Sequence, residues 1–263
     1  MPPDNFMLFE VDENCPYEYK YEIEVTDCLP DPCGTLVAER ADLKVYETDA
    51  GEERFIGTKG SDGLYACYRE KPDHRAEIWL VRERMRSLHI DPVFTSLLAL
   101  ERHMIRRDQM LLHCAYTEYQ GEAILFSAPS ETGKTTQANL WEKYRGSRTV
   151  NGDRSLLGKI GGRWTAQGWP VCGSSEVCHN ESIPIRAIVM LSQAKENHAR
   201  RIGGREAFVQ IYSQITVNRW NREDSNHTMD LLMDLLGQVP VYHLGCTISE
   251  EAVRCLEEAM GKK

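Results

Sequence analysis

Residues 1–90 contain a series of short segments whose composition is typical of β-strands. Apolar and polar positions partly alternate within them, as expected for strands with one buried face. Two of the segments flank a turn at 49–51, which predicts a hairpin. We therefore predict a β-rich, acidic N-terminal module over residues 1–90, in which no group of residues indicates a particular chemistry. The predicted strands are 7–9, 21–25, 43–46, 54–57, 64–68 and 76–81.

From residue 91 onward, helical spacing of apolar residues alternates with short apolar runs. Asp91 and Pro92 predict the N-cap and first residue of a helix whose apolar face continues to Ile105. The alternation predicts an α/β domain over residues 91–263. Its Arg200, Arg201 and Arg205 are expected in a loop. Strands are predicted at 110–116, 123–126, 148–150, 186–191 and 240–244, a hairpin at 156–164, and helices at 138–144, 208–215, 229–236 and from 249.

The segment from Ser127 to Thr136 has the composition of a phosphate-binding loop. It lies between an apolar strand and a predicted helix, which is the context in which a Gly-Lys-Thr sequence is credible. Backbone N–H groups of such a loop, together with the positive end of the helix, hold phosphate oxygens. Lys134 would add a charge for the outer phosphates, and the Thr135 hydroxyl could bind Mg²⁺. The candidate nucleotide-binding residues are Pro129, Ser130, Glu131, Thr132, Gly133, Lys134, Thr135 and Thr136.

Three residues of this loop depart from the usual pattern. Ala128 replaces the first glycine, Pro129 has no N–H to donate, and Glu131 brings negative charge toward phosphates. Either these changes weaken the binding of a triphosphate, or Glu131 points outward without effect. The alternative to a nucleotide loop is a strand–turn–helix connection that carries an incidental lysine.

Asp153 is the candidate catalytic and metal-binding acid. It follows a short β-branched strand, and carboxylates at the carboxyl ends of parallel strands face the crevice that holds the ligand. Asp153 would bind Mg²⁺ or accept a proton from an acceptor hydroxyl. The alternative is a turn aspartate in the Asn-Gly-Asp bend. His113, in the strand before the loop, either contacts phosphate or the catalytic acid or is a buried histidine bonded to a backbone carbonyl.

The composition of the chain argues against nucleic acid and membranes as binding partners. The 263-residue chain has a net charge of −9, which argues against binding to nucleic acid through its phosphate backbone. No apolar run approaches the roughly 20 residues of a membrane span, so no membrane partner is expected. The nine cysteines lack paired spacing, which favours reduced thiols and a cytoplasmic location.

The order of several motifs resembles that in the HPr kinase/phosphorylase family, whose nucleotide fold is shared with ATP-dependent phosphoenolpyruvate carboxykinase. The resemblance covers about residues 108–260. It implies a P-loop nucleotide-binding domain with a mixed sheet and possible homo-oligomers. The matching segments are His113, 128–136, 151–154, 168–170, 172–173 and 184–188.

The resemblance also implies roles for individual residues. Lys134 would bind the β- and γ-phosphates, Thr135 the Mg²⁺, and Asp153 would match the second acid of the family's Asp-Asp-Arg, the base toward a serine hydroxyl. His113 would match the histidine near that acid. Gly152 replaces the first acid, so metal binding or phosphorolysis is in doubt.

These observations predict an Mg²⁺- and ATP-dependent kinase that transfers the γ-phosphoryl group to a serine-type hydroxyl of a protein, peptide or small molecule. Two alternatives stay open. The chain is instead a nucleotide-binding sensor or assembly module without useful transfer, or a carboxykinase-like enzyme. Neither the acceptor nor the choice between ATP and pyrophosphate can be read from the sequence.

Overall fold

The computed structural model describes residues 3–11, 15, 18–58, 60 and 63–261. The protein is of the mixed α/β class and divides into two compact units, Met1–Leu100 and Glu101–Lys263. Each unit contains one mixed sheet. The domain boundary expected after residue 90 stays a prediction. Among the described residues, no helix has the length and apolar character needed to cross a bilayer.

The first unit is built on a six-stranded sheet in the order β1-β6-β5-β4-β3-β2. Strands β1 and β6 are parallel, and the other neighbours are antiparallel. A core of buried side chains, including Tyr68, Ile78 and Leu97, packs on it. The elements are α1 Asp4–Met7, β1 Lys20–Thr26, β2 Thr35–Arg40, β3 Leu43–Thr48, β4 Gly51–Gly57, β5 Leu64–Lys71, β6 Arg75–Val81, a 3-10 turn Arg82–Ser87 and α2 Asp91–Leu98.

Five of the six strands predicted in this unit are confirmed, as is the β3–β4 hairpin. The strand predicted at 7–9 is wrong. Met7 ends α1, and local turn hydrogen bonds, such as that from the N–H of Phe9 to the carbonyl of Phe6 (3.0 Å), satisfy the backbone there. Strand β2 was not predicted, because it lies at the sheet edge with most side chains exposed and shows no alternation of buried residues.

The rest of the chain forms the sheet that carries the candidate site. Its elements are α3 Leu100–Ile105, β7 Met110–Tyr119, β8 Glu122–Ser127, α4 Lys134–Arg145, β9 Arg148–Asn151, β10 Arg154–Ile160, β11 Arg163–Gln167, a 3-10 turn Gly173–Ser175, β12 Ser182–Gln193, β13 His198–Ile202, α5 Gly204–Tyr212, α6 Arg222–Gln238, β14 Val241–Cys246 and α7 Glu250–Gly261.

The strand order of this second sheet is β11-β10-β7-β8-β12-β14-β13, with β9 also on β7. Strand β11 pairs in addition with the start of β12, so the pairings β12-β8-β7-β10-β11 close into a ring. Strands β8, β12 and β14 are mutually parallel, which brings their carboxyl ends to one edge. Both β8 and β9 run antiparallel to β7 and flank it on opposite sides. The end of β9 therefore lies at the same edge.

Strand β8 lies at the centre and is buried on both faces. Ala123 and Leu125 belong to the core on the α5–α6 side, whereas Ile124 and Phe126 belong to the core on the α4–α7 side. This alternation follows from the two-residue period of a strand. It explains why the sequence shows a continuous apolar run rather than alternating residues.

Two predictions for residues 91–263 are wrong. The helix predicted over 91–105 is broken at Ala99, which has a left-handed backbone (φ 47°), and becomes α2 and α3. Arg200 and Arg201, expected in a loop, lie in β13 and pair with β14. An edge strand with exposed arginines carries no apolar pattern that would indicate it.

Trp141 should be a major source of stability, because it anchors α4 to the sheet. It is fully buried, and its ring lies 5.2 Å from that of Tyr119 and 6.4 Å from that of Phe126. We expect Trp141→Ala to lower the free energy of unfolding by about 3–5 kcal/mol, measured by urea titration. The exposed Val209→Ala should change it by less than about 0.5 kcal/mol. Equal effects of the two variants would contradict this role.

Candidate functional site

The loop predicted to bind phosphate connects the end of β8 to the start of α4. The Ser127 hydroxyl donates to the carbonyl of His113 (2.8 Å), and Ala128 is fully buried, so the base of the loop is fixed to the sheet. Gly133 has a left-handed backbone (φ 109°) and precedes the first helical residue, Lys134. A glycine is favoured there because other residues are strained at that φ.

The backbone amides of this loop have no acceptor of their own. Within the described part of the chain, no backbone N–H group from Gly133 to Thr136 donates a hydrogen bond, and a turn at Ser130 and Glu131 precedes them. The first one in α4 that does belongs to Gln137 and reaches the carbonyl of Gly133 (2.9 Å). Consecutive unpaired amides before and at a helix N-terminus form an anion-binding surface.

The Lys134 ammonium folds back into the loop. Its Nζ donates to the carbonyl oxygens of Ala128 (3.1 Å) and Pro129 (3.3 Å), and the residue is only 7% exposed. Burial lowers the pKa of Lys134, and the carboxylate of Asp153 opposes that change. The lysine charge therefore lies inside the loop and acts on Asp153.

A single buried carboxamide shapes the bend that carries Asp153. Asn151 Oδ1 accepts from the backbone N–H groups of Asp153 (2.8 Å) and Arg154 (2.9 Å). Its Nδ2 donates to the carbonyls of Trp169 (2.9 Å) and Val171 (3.1 Å). Asn151 thus ties the bend to the segment that begins at Trp169. No sequence pattern indicates a role for Asn151 beyond its membership in the Asn-Gly-Asp-Arg motif.

The Asp153 carboxylate lies between two basic side chains. Its Oδ1 is 3.4 Å from His113 Nε2, and its Oδ2 is 3.2 Å from Arg154 Nε. Burial by itself would raise the pKa of Asp153, but the hydrogen bond from His113 and the charges of Arg154 and Lys134 outweigh it and hold the pKa below its ordinary value. The group is therefore an ionised carboxylate at neutral pH.

The Asp153 bend is joined to the loop by one described hydrogen bond and to strand β7 by another. The Thr135 hydroxyl donates to the carbonyl of Gly152 (3.4 Å). The N–H of Cys114, which pairs with the end of β8, donates to the carbonyl of Asp153 (2.9 Å). The structure thus brings together His113, Lys134, Thr135 and Asp153.

The other predicted loop residues lie on the loop without touching Asp153. Pro129, Ser130 and Glu131 are exposed, and Glu131 has a left-handed backbone (φ 65°). Thr132, Gly133 and Thr136 are half-buried. Among the described contacts, none joins these six residues to the carboxylate.

The place of the missing first acid is filled by another side chain. A Cβ on Gly152 would lie 1.9 Å from Ser175 Oγ. That hydroxyl is fixed, since it donates to the carbonyl of Cys172 (2.7 Å) and accepts from the N–H of Val177 (3.2 Å). Gly173 is also close to the bend, because a Cβ on it would lie 3.2 Å from that of Asp153. The sequence offers no signal for this long-range contact.

The fold and the site define a class of protein: a mixed α/β domain in which a loop lined by backbone amides lies beside a carboxylate. The family model of "SynChlorMet cassette protein ScmC" matches residues 82–260, and the chain belongs to that family. No curated protein matches the chain. Among solved structures, the HPr(Ser) kinase/phosphatase from Coxiella burnetii is similar at 12% identity and a TM-score of 0.32, covering 55% of this chain and 88% of that one. A likeness this low carries no argument about activity.

Any side chain at position 152 should destabilise the fold through Ser175. We expect Gly152→Ala to cost about 1–3 kcal/mol of unfolding free energy, measured by urea titration. Ser175→Gly in the same chain should recover part of that loss, so that the double variant is more stable than the sum of the single variants. Gly237→Ala in α6, where a Cβ meets nothing within 4 Å, is the matched control and should not destabilise. Additive effects at 152 and 175 would contradict the contact.

Asp153 should also contribute a pH-dependent part of the stability. Its pKa is lower in the folded protein than in the unfolded chain, so the unfolded chain binds the proton first as the pH falls. The contribution is present above the ordinary pKa of 3.8 and is lost as the pH falls through the folded value. Between pH 5 and pH 3, the stability difference between the unmodified protein and Asp153→Asn should shrink. Parallel stability curves over that range would be the contrary result.

Proposed function

We propose that this protein is an Mg²⁺-dependent phosphotransferase that uses ATP and phosphorylates a serine-type hydroxyl of a peptide, protein or small molecule. The observation that carries the proposal is the run of unpaired backbone amides from Gly133 to Thr136 beside an ionised carboxylate at Asp153. A polyphosphate is the ligand whose charge and number of acceptors suit such a loop. The Asp153 carboxylate would repel a phosphate, so it does not itself help to bind one. Its position beside the loop therefore favours a role in binding a metal ion or a reacting hydroxyl.

The loop residues would hold and position the phosphates. The amides would donate to phosphate oxygens, and Lys134 Nζ would exchange the carbonyls of Ala128 and Pro129 for the outer phosphates. That exchange replaces hydrogen bonds from the ammonium to neutral carbonyl oxygens by ion pairs with anionic phosphate oxygens, which attract the charge more strongly. Binding of a polyphosphate is thus favoured over the lysine's contacts within the loop.

The residues present fit a magnesium ion. Thr135 and Asp153 supply a hydroxyl and a carboxylate oxygen on adjoining segments, the ligand types that Mg²⁺ takes alongside phosphates. Bound there, the ion would neutralise charge on the transferring phosphoryl group. Among the described residues of the Asn151–Arg154 bend, Asp153 is the one carboxylate, since position 152 has no room for a second.

Asp153 and His113 would orient the acceptor hydroxyl and hold its proton. Asp153 Oδ1 would accept the hydrogen bond of the hydroxyl, and His113 Nε2 at 3.4 Å keeps that oxygen in place. Arg154 Nε on Oδ2 fixes the plane of the carboxylate. The transfer itself would depend on position and charge rather than on covalent chemistry of the protein.

A second candidate function is a nucleotide-binding sensor that transfers nothing. The observation that favours it is the contact of Gly152 with Ser175, which excludes a second acid. In this reading the loop binds nucleotide, and Asp153 serves only to hold the bend.

The two functions differ in the turnover of ATP. With the full chain, Mg²⁺ and γ-labelled ATP, a phosphotransferase should release or transfer label slowly, and screening of hydroxyl-bearing acceptors should raise the rate. Asp153→Asn should lower turnover by about 10²–10⁴-fold, because the carboxylate acts on the acceptor, while the affinity for ATP measured without Mg²⁺ should not fall, because the loop amides and Lys134 hold the phosphates. The matched control is Asp108→Asn, which removes another aspartate bonded to a histidine (Oδ1 to His227 Nε2, 2.8 Å).

Each outcome decides between the readings. Turnover that falls in Asp153→Asn but not in Asp108→Asn supports the phosphotransferase. ATP binding without turnover in any of the proteins supports the sensor. Absence of ATP binding would refute both.

A further inference from the structure

A short segment after α5 continues the sheet where β8 leaves it for the phosphate loop. Residues 214–216 pair antiparallel with β7 beyond the end of β8. The N–H of His113 donates to the carbonyl of Gln214 (3.0 Å). The N–H of Thr216 donates to the carbonyl of Leu111 (2.9 Å). The backbone of this segment is therefore fixed to the strand that carries His113.

The pairing turns the side chain of Thr216 toward the candidate site. Ile215 and Leu112 form the bridge between the segment and β7, and both are buried in the core on the α5–α6 side. Because successive side chains of a strand point to opposite faces, Thr216 and His113 point to the other face. Arg154 is the partner of His113 across β7 and β10, so it points to that face as well.

The Arg154 guanidinium connects Thr216 to the catalytic candidate. Its Nε lies 3.2 Å from Asp153 Oδ2, and its Nη1 donates to the Thr216 hydroxyl (3.2 Å). The Arg154 side chain is 32% exposed, and an ion pair near the surface holds so long a side chain only weakly. The guanidinium is a rigid plane, so a second bond at Nη1 also fixes the direction of Nε.

We propose that Thr216 is a positioning residue of the candidate site, whose hydroxyl holds the Arg154 guanidinium in the orientation that sets the Asp153 carboxylate toward the acceptor. Thr216 acts only through Arg154 in this role. The inference rests on the proposed phosphotransfer, in which Asp153 Oδ1 accepts the hydrogen bond of the acceptor hydroxyl. Removal of the Thr216 hydroxyl therefore slows the transfer and leaves the binding of ATP unchanged.

The contact itself is tested by hydrogen exchange of the Arg154 Nε–H group, followed by nuclear magnetic resonance on the full chain without nucleotide. The signal is identified by its absence in Arg154→Lys. Thr216→Val keeps the shape of the side chain and removes the acceptor, so the Nε–H should exchange about three- to tenfold faster. Thr216→Ser should restore the original rate.

The matched control for the exchange measurement lies in the same segment. Ser213→Ala removes a hydroxyl that donates to the carbonyl of Gln210 (2.7 Å) and should leave the exchange rate of Arg154 unchanged. An Nε–H that exchanges equally fast in Thr216→Val and in the unmodified protein would overturn the proposal.

The role in transfer is tested by release of label from γ-labelled ATP with Mg²⁺, where water takes the place of the acceptor hydroxyl. Thr216→Val should lower kcat about three- to tenfold without changing the KM for ATP, and Thr216→Ser should restore kcat. In an Arg154→Ala background, Thr216→Val should have no further effect, because the threonine acts through the arginine.

The outcomes separate this inference from the function on which it rests. Absence of turnover in the unmodified protein would refute the proposed phosphotransfer, whatever the exchange rates. Normal turnover in Thr216→Val would refute the role of Thr216 alone, as would an equal loss of kcat with and without Arg154.

Discussion

The candidate site depends on one buried side chain, the carboxamide of Asn151. All four of its hydrogen bonds go to backbone groups: two N–H groups of the bend at Asp153 and Arg154, and two carbonyls at Trp169 and Val171. Buried backbone groups without partners are costly, so this one amide makes a sharp bend and a distant segment compatible in a dry interior. It also fixes the direction in which Asp153 leaves β9. Neither a carboxylate nor a hydrophobic residue at position 151 could both accept and donate in this way.

The electrostatics of the site follow from that bend. Asp153 is set against His113 and Arg154, and the charge of Lys134 acts on it from the loop. The loop itself adds the partial positive charge of its unpaired amides. Positive groups therefore exceed negative ones around a single carboxylate, although the whole chain is acidic. The net charge of the whole chain thus says little about the electric field inside one crevice.

The sequence predicted those parts of the structure that local patterns determine. The run before Ser127 and the Gly-Lys-Thr that follows it identified β8, the loop and α4 because each is defined by neighbours in the chain. The meeting of His113 with Asp153 could be anticipated only from strand pairing and a family resemblance. Strands β2 and β13 were missed because exposed edges show no apolar pattern. The close approach of Gly152 to Ser175 could not be predicted, because a steric contact between segments distant in the chain has no signature in residue spacing or composition.

The presence of one carboxylate where two would be expected has a chemical consequence for the proposed transfer. A carboxylate whose pKa is held low by neighbouring cations is a good ligand for a metal ion and a weak acceptor of a proton. Because position 152 has no room for a second acid, Asp153 would have to bind the metal ion and also accept the proton. His113 Nε2 donates a hydrogen bond to Asp153 Oδ1 (3.4 Å), so this nitrogen has no lone pair free for the proton of an acceptor hydroxyl. In the proposed transfer, Asp153 would therefore have to accept that proton itself, and His113 would hold the carboxylate in place.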